Sequence, residues 1–288
     1  GERPETGPSA VFPWAGHLVS RNDWSEDAHW SFFDMGPFGF SHQHNDKLHL
    51  SIHAYGRDLL VDSGRYTYKG YSSRNPNNRR GYVRRSWGHN VLLVGGKSQK
   101  DGPKLAGKAV EDYVIRPELD FAIASWERGW EPDVKGKHTR AFLYVRDRAW
   151  LVIDHIALEK AAPVHALWHF HPECTVKKED VGLVTTDAGK GNLRLIPALP
   201  GKVTSTLVRG AKRPYQGWYS PKQNVLVPNT CAVYESQPIR EAVFGWLMVP
   251  GRGAPPAGQL TLHDAPSGWA RVTVSQDGYG NVEAFVNM

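Results

Sequence analysis

Short apolar runs, alternating with polar residues and closed by Gly, Pro, Asn or Asp, recur along the chain. They read HWSFFDMG, KLHLSIHAYG, DLLVDSG, HNVLLVGG, FAIASWERG, TRAFLYVRDRAWLVIDHIAL, VHALWHFHPECTVKK, LRLIPA, EAVFGWLMVP and ARVTVSQDG. A period of two, with Val, Leu, Phe, Trp and Tyr in the runs and turn residues between them, predicts antiparallel strands. Helical periodicity is almost absent. LYVRDRAWLVID predicts a hairpin with Arg-Asp at its tip and apolar alternation on both arms. The 29 glycines and 20 prolines fall mostly between the runs, where they punctuate strands. So many strands need a second sheet to cover the first, which predicts an all-β fold, a large antiparallel β-sandwich. With neither a repeat of roughly 20–50 residues nor a long linker, residues 1–288 are expected to form one domain. VPGRGAPPAGQ, residues 249–259, reads as a surface loop within it.

Composition narrows the class. The 288 residues, 40% hydrophobic and 22% charged, suit an ordinary globular protein with a sizeable core. No stretch approaches the roughly 20 uninterrupted apolar residues of a membrane span. GERPETGPSA does not read as a signal peptide, and prior removal of one is compatible with it. Cys174 and Cys231 are too few for a disulfide scaffold, and buried free thiols are expected.

A net charge of +6 points weakly to an anionic partner. Its one concentration is SSRNPNNRRGYVRRSW, residues 72–87, which places five arginines within a dozen positions and reads as a solvated loop. No nucleic-acid motif accompanies it, so no nucleic-acid partner is expected. A polysaccharide bearing carboxylates or sulfates meets the same electrostatic need, because Arg offers a bidentate fork to either group.

The chemistry concentrates in FGFSHQHNDKLHLSIHAYGRDLLVDSGRYTY, residues 38–68, with four histidines and three aspartates. Were the strand already formed there, His42 and His44 would project to one side. A hairpin turning at Gly56 returns Asp62 beside His44, and WGHNVLLVGG offers His89 at the start of a further strand. Two imidazoles and a carboxylate suit zinc. A catalytic acid or base, or a polar cluster on a solvent-facing sheet, explains the same residues, and no short metal motif such as HExxH decides between them. His49 and His53 alternate with Leu48, Leu50 and Ile52 and read as an outward strand face. In HALWHFHPEC, His165, His169 and His171 are expected to be structural. Trp87 lies beside His89, where a sugar ring would pass, but most tryptophans of a sandwich are core. Asp154 and His155 have no GxSxG motif nearby, so a serine hydrolase is not indicated.

HQHNDKLHLSIHAYGRDLLVDSGRYTY followed by GYVRRSWGHNVLLVGG resembles the heparinase II/III-like family of polysaccharide lyases, which also includes alginate lyases. The likeness begins near VFPWAGHLVSRNDW and runs through LWHFHPE to FGWLMVPGRG, most of the chain. It implies the family's C-terminal β-domain, without the α-helical toroid that usually precedes it. His44, Asp62 and His89 match the family's ligands for a structural Zn2+. His42 matches an active-site histidine, and a tyrosine of the following loop faces the cleft, Tyr71 being the first choice and Tyr68 the second. Arg65 and Arg74 would hold a substrate carboxylate. Asp46 belongs to the matched pattern as a partner that orients a ligand histidine.

The implied reaction is β-elimination on a uronate-containing anionic polysaccharide, in the periplasm or outside the cell. A C5 proton leaves, the carboxylate charge is neutralised and the O4 leaving group is protonated. The toroid's own catalytic residues have no counterpart here. The expected partners are therefore the polysaccharide and an N-terminal helical domain or partner chain. A non-catalytic carbohydrate-binding domain and a zinc hydrolase are the alternatives.

Overall fold

The computed structural model describes residues 7–37, 42–69, 75–102, 112–276 and 280–288. Its strands build an all-β, antiparallel architecture, as the alternation predicts. A five-stranded sheet runs in chain order, β1 (Ala10–Phe12), β2 (His17–Arg21), β3 (Trp30–Asp34), β4 (Leu50–Ala54) and β5 (Arg57–Leu60). A four-stranded sheet holds β6 (Leu92–Val94) at one edge and then, moving across, β11 (Val164–His169), β20 (Thr230–Ser236) and β15 (Val203–Arg209). The largest sheet has eight strands. From one edge they are β7 (Tyr113–Ile115), β8 (Leu119–Trp126), β9 (Gly136–Val145), β10 (Ala149–Ala162), β21 (Ile239–Arg252), β14 (Gly191–Ala198), β13 (Leu183–Thr185) and β12 (Val176–Lys178). Two-residue ladders pair β16 (Ala211–Lys212) with β17 (Tyr215–Gln216) and β18 (Trp218–Tyr219) with β19 (Val227–Pro228). A three-stranded sheet, β22 (Gly258–His263), β23 (Trp269–Gln276) and β24 (Gly280–Asn287), completes the described strands.

Strand β10 shows how the layers are decided. Trp150, Val152, Ile156 and Leu158 join the main core with Leu18, Phe33, Leu50 and Ile52 of the five-stranded sheet and Ala166, Trp168 and Ala232 of the four-stranded one. The intervening Ala149, Leu151 and Ile153 face the other way and pack with Leu260, Ala270 and Val272 of the three-stranded sheet. The middle of the eight-stranded sheet is thus buried on both faces, whereas its edge strand β7 is exposed. Its longest strands accordingly read as near-continuous apolar runs rather than as clean alternation. The predicted hairpin is β9–β10, turning at Arg146–Asp147–Arg148 with Asp147 in the left-handed region at φ 64°.

Two local readings need correction. Residues 72–87 are not simply a solvated loop. Residues Arg79–Arg84 form a short helix, α1, because Asn78 caps its start by accepting from the Gly81 N–H. Tyr82 and Val83 on α1 are buried with Trp87, Leu93, Leu167 and Cys231. The stretch 249–259 is not all loop either, since β21 continues to Arg252. Cys174 and Cys231 are free, buried thiols.

Candidate functional site

The site lies where β3 ends, β4 begins and β5 hands over to the segment before α1. His44, Asp46, Asp62 and His89 each present one ligand-type atom, all within 4.8 Å of one another. His89 is fully buried. Its Nδ1 is 2.7 Å from Asp62 Oδ2, whereas its Nε2 is buried with no hydrogen-bond partner among the described residues. A buried polar atom left unpaired costs roughly 1–3 kcal/mol unless something binds it. Two imidazole nitrogens and two carboxylates form a donor set that suits zinc. The His44 and His89 rings stand 5.2 Å apart between centroids.

Electrostatics couples the members. Burial pushes the Asp46 carboxyl up to about 6 and, beside it, that of Asp34 up to about 6. Burial works against the Asp62 charge too, but His89, through charge and hydrogen bond, holds this carboxylate well below the usual range. His89 is correspondingly raised above the ordinary imidazole value, Asp62 outweighing the opposing effect of burial. His44 is lowered by burial and by the neighbouring His89.

The local chain is fixed by hydrogen bonds that leave it little freedom. The Asn45 side-chain amide donates to the carbonyls of Gln99 and Lys100, each at 3.1 Å. Leu48 has φ 77°, a left-handed conformation that costs a branched residue on the order of 1–2 kcal/mol. Its N–H donates to Asp34 O at 2.6 Å, and its carbonyl accepts from Arg140 Nη1 at 2.6 Å. Beyond β5, the Gly64 N–H donates to Asp62 Oδ1 at 2.6 Å. Gly64 has φ 75°, and a Cβ there would stand 2.6 Å from the Ser220 carbonyl oxygen, so this turn requires glycine. Asn90 ties three strands. Its amide donates to Leu50 O and Val61 O, its Oδ1 accepts from the His169 N–H, and its own N–H donates to His49 Nδ1.

His42 and His44 are both near the site, but not as neighbours on a strand face. Strand β4 begins only at Leu50, and His42 has φ 59°. The turn Asp46–Leu48 intervenes because its backbone bonds go to Asp34 and Gln99 rather than to a ladder. His42 packs edge-on against Tyr68 at 4.6 Å, and the Arg65 guanidinium lies 3.4 Å from the Tyr68 ring centroid. Tyr68 is 47% exposed. Tyr71 and Arg74 lie outside the described residues.

Other expectations resolve individually. His49 is not on an outward face. It is buried, with Nε2 at 2.9 Å from Ser51 Oγ and 4.0 Å from Asp62 Oδ2, because the Asp62 and His89 segments cover this end of the sheet. His53 is half-buried and bonds Asp58 at 3.0 Å. His169 is buried on Asn90, and Trp87 is buried with its indole N–H on Gly96 O at 2.9 Å, so both are structural. Arg84 donates to Gln43 O, between the two histidines, at 3.0 Å through Nη2. Arg85 is buried against Asp101 and Glu131. Asn90 and Arg140 were not foreseen as part of the site. The His-Asn pair at 89–90 was the available signal for Asn90, whereas Arg140 is distant in sequence and sits in an apolar strand.

Comparison with known proteins matches the chain to relatives considerably longer than itself. A curated heparin-sulfate lyase of Bacteroides stercoris is 24% identical over 189 residues, 65% of this chain and 27% of its own length. Among solved structures, a heparinase III gene product superposes over the whole chain with a TM-score of 0.84 at 16% identity. The heparan sulfate lyase of Pedobacter heparinus does so with a TM-score of 0.81 at 18% identity. In each case the chain spans 43% of the solved relative. At such identities these structures establish the fold, an antiparallel β-sandwich. The family described as Heparinase II/III-like, C-terminal, matches residues 4–275, and the chain belongs to that family.

Proposed function

We propose that this chain is the β-domain of a polysaccharide lyase that cleaves a uronate-containing glycosaminoglycan by β-elimination. The observation that carries the reading is the His42–Tyr68 contact, two proton-exchanging side chains 4.6 Å apart beside the four-residue cluster, in a chain of this family. The names of the relatives favour a sulfated substrate of the heparin and heparan sulfate type over alginate. Arg65 on Tyr68, Arg84 behind the histidine loop and Arg74 supply positive charge for a substrate carboxylate.

In this reading Tyr68, or Tyr71 three positions on in the sequence, exchanges the C5 and O4 protons, and His42 neutralises the uronate as negative charge develops. His44, Asp46, Asp62 and His89 hold zinc, with the orphaned Nε2 of His89 as the clearest vacancy for a ligand bond. When bound, the ion supplies structural cross-linking of the turn, the β5 exit and the segment after α1. The Gly64 N–H and Ser51 hydroxyl then keep Asp62 and His49 oriented around it.

The chain spans under half of its solved relatives, which supports a cleft completed by a further N-terminal helical domain or a partner chain. The same fact favours a second reading, a domain that binds anionic carbohydrate without cutting it. We place the action of either in the periplasm or outside the cell. No helix among the described residues is long and apolar enough to cross a membrane.

Ultraviolet absorbance of unsaturated uronate, followed with heparan sulfate, heparin, hyaluronan, chondroitin and alginate in turn, tests the proposal. A rise on a sulfated glycosaminoglycan that disappears in His42→Ala is expected from the chain joined to its helical half. A rise that survives His42→Ala would remove His42 from the chemistry while leaving the lyase reading in place, and no rise from the joined protein would sink that reading.

A further inference from the structure

Arg140 on β9 lies directly opposite Asp154 on β10, and both face the main core. Arg140 is 1% exposed and Asp154 0%. The guanidinium donates from Nε to Asp154 Oδ1 at 2.6 Å and from Nη2 to Oδ2 at 2.9 Å. Asp154 also accepts from the Trp246 indole N–H at 2.9 Å and meets His138 Nε2 at 2.7 Å. Trp168 lies under the guanidinium, 5.2 Å from its ring centroid to Cζ. A carboxylate held on several sides therefore fixes the guanidinium in one position and one plane.

From that position Nη1 reaches across the sandwich to two carbonyls on separate segments. It donates to Leu48 O at 2.6 Å and to Asn90 O at 2.6 Å. Leu48 follows His44 and Asp46 in the turn before β4, and Asn90 follows His89 directly. One side chain thus spans the two segments that bring the cluster together.

A buried ion pair is an inefficient stabiliser, because desolvation of both charges offsets most of their attraction. What this pair fixes is geometry. Leu48 keeps its left-handed conformation with its N–H on Asp34 and its carbonyl on Arg140. Without the guanidinium that carbonyl has no buried donor, and the turn is free to relax away from His89.

We propose that Arg140, held by Asp154, is a positioning residue that sets the separation between the His44–Leu48 turn and the His89–Asn90 segment. It thereby sets the affinity and geometry of the cation site. The inference rests on the reading of His44, Asp46, Asp62 and His89 as a zinc site.

The test measures zinc affinity by competition with a chromophoric chelator, and the visible spectrum of the Co2+-substituted protein, on folded samples checked by circular dichroism. Arg140→Lys keeps the charge but not the fork. The double variant Arg140→Met/Asp154→Leu removes both charges and leaves neither unpaired. Val152→Ala, on the strand of Asp154 and in the same core, serves as a destabilised control that removes no hydrogen bond to Leu48 or Asn90.

Zinc binding about tenfold weaker or more, with an altered Co2+ spectrum, is expected in both Arg140 variants, and wild-type values in Val152→Ala. Wild-type affinity and spectrum in either folded Arg140 variant would overturn the inference alone. An equal loss in Val152→Ala would also overturn it, by reducing the effect to general destabilisation. A wild-type protein that takes up neither metal would overturn the zinc reading and the inference together.

Discussion

His89 and Asp62 are joined at 2.7 Å through Nδ1 and Oδ2, while the opposite ring nitrogen of His89 is buried without a partner among the described residues. One edge of the imidazole is thus oriented by a carboxylate, and under the zinc proposal the other would bind the ion. Asp62→Asn keeps the shape but removes the charge. Zinc affinity is expected to fall about 10–100-fold, and the metal content of protein purified at equal free zinc should fall with it. Wild-type affinity in Asp62→Asn would show that this carboxylate neither binds nor orients.

Gly64 carries a prediction about the same carboxylate. A methyl group there meets the Ser220 carbonyl oxygen at 2.6 Å and sits at φ 75°. Gly64→Ala is expected to destabilise the protein by more than about 1 kcal/mol. It should also weaken zinc binding, because Asp62 Oδ1 is anchored on the Gly64 N–H. Urea titration with and without zinc measures both, and an unchanged midpoint would rule out the strain.

Two buried histidines that are not among the four clustered residues set a pH dependence. Burial holds His29 down to about 4 and His169 down to about 3, against 6.5 in the unfolded chain. Below pH 6.5 the unfolded chain binds protons that the folded one refuses, so stability present above that pH is lost on acidification. Each group contributes about 1.4 kcal/mol per pH unit within its window. Asp34 and Asp46, pushed up to about 6 by burial, act with the opposite sign between 3.8 and that value and partly offset the loss. The urea midpoint is expected to fall between pH 7 and pH 5, and to fall less steeply in His169→Gln. An identical slope in that variant would mean that His169 takes no part.

Tyr68→Phe separates chemistry from packing. The ring against His42 and under Arg65 remains, and only an exposed hydroxyl is lost. Stability should change by less than about 0.5 kcal/mol. If Tyr68 is the proton-exchanging tyrosine, lyase turnover in the full-length enzyme should fall by about 10²–10⁴. Full turnover in Tyr68→Phe would transfer that role to Tyr71.

The strands were legible because burial imposes a period, and Trp150, Val152 and Leu151, Ile153 display it even where both faces are covered. His44, Asp62 and His89 do come together, but not by the hairpin return that the sequence suggested: β4 starts at Leu50 with Ile52 opposite Leu60, and it is the turn before β4 that carries His44 to Asp62. Asp46 was read only as an orienting partner, and it stands within the cluster itself. The conformation of the His42–Leu48 turn was not legible, since it depends on carbonyls of Asp34 and donors of Gln99 and Arg140 remote in sequence. His49 shows the same limit. It precedes β4 rather than lying on it, and its burial is set by segments that arrive later in the chain.

The Arg140–Asp154 pairing also makes the β9–β10 hairpin a ruler. Side chains alternate along a strand, so a residue inserted between Arg140 and the turn would send the guanidinium to the opposite face, toward the three-stranded sheet. A residue added at Asp147 would lengthen only the tip. Change in the length of this hairpin is therefore confined to Arg146–Arg148, however apolar the inserted residue.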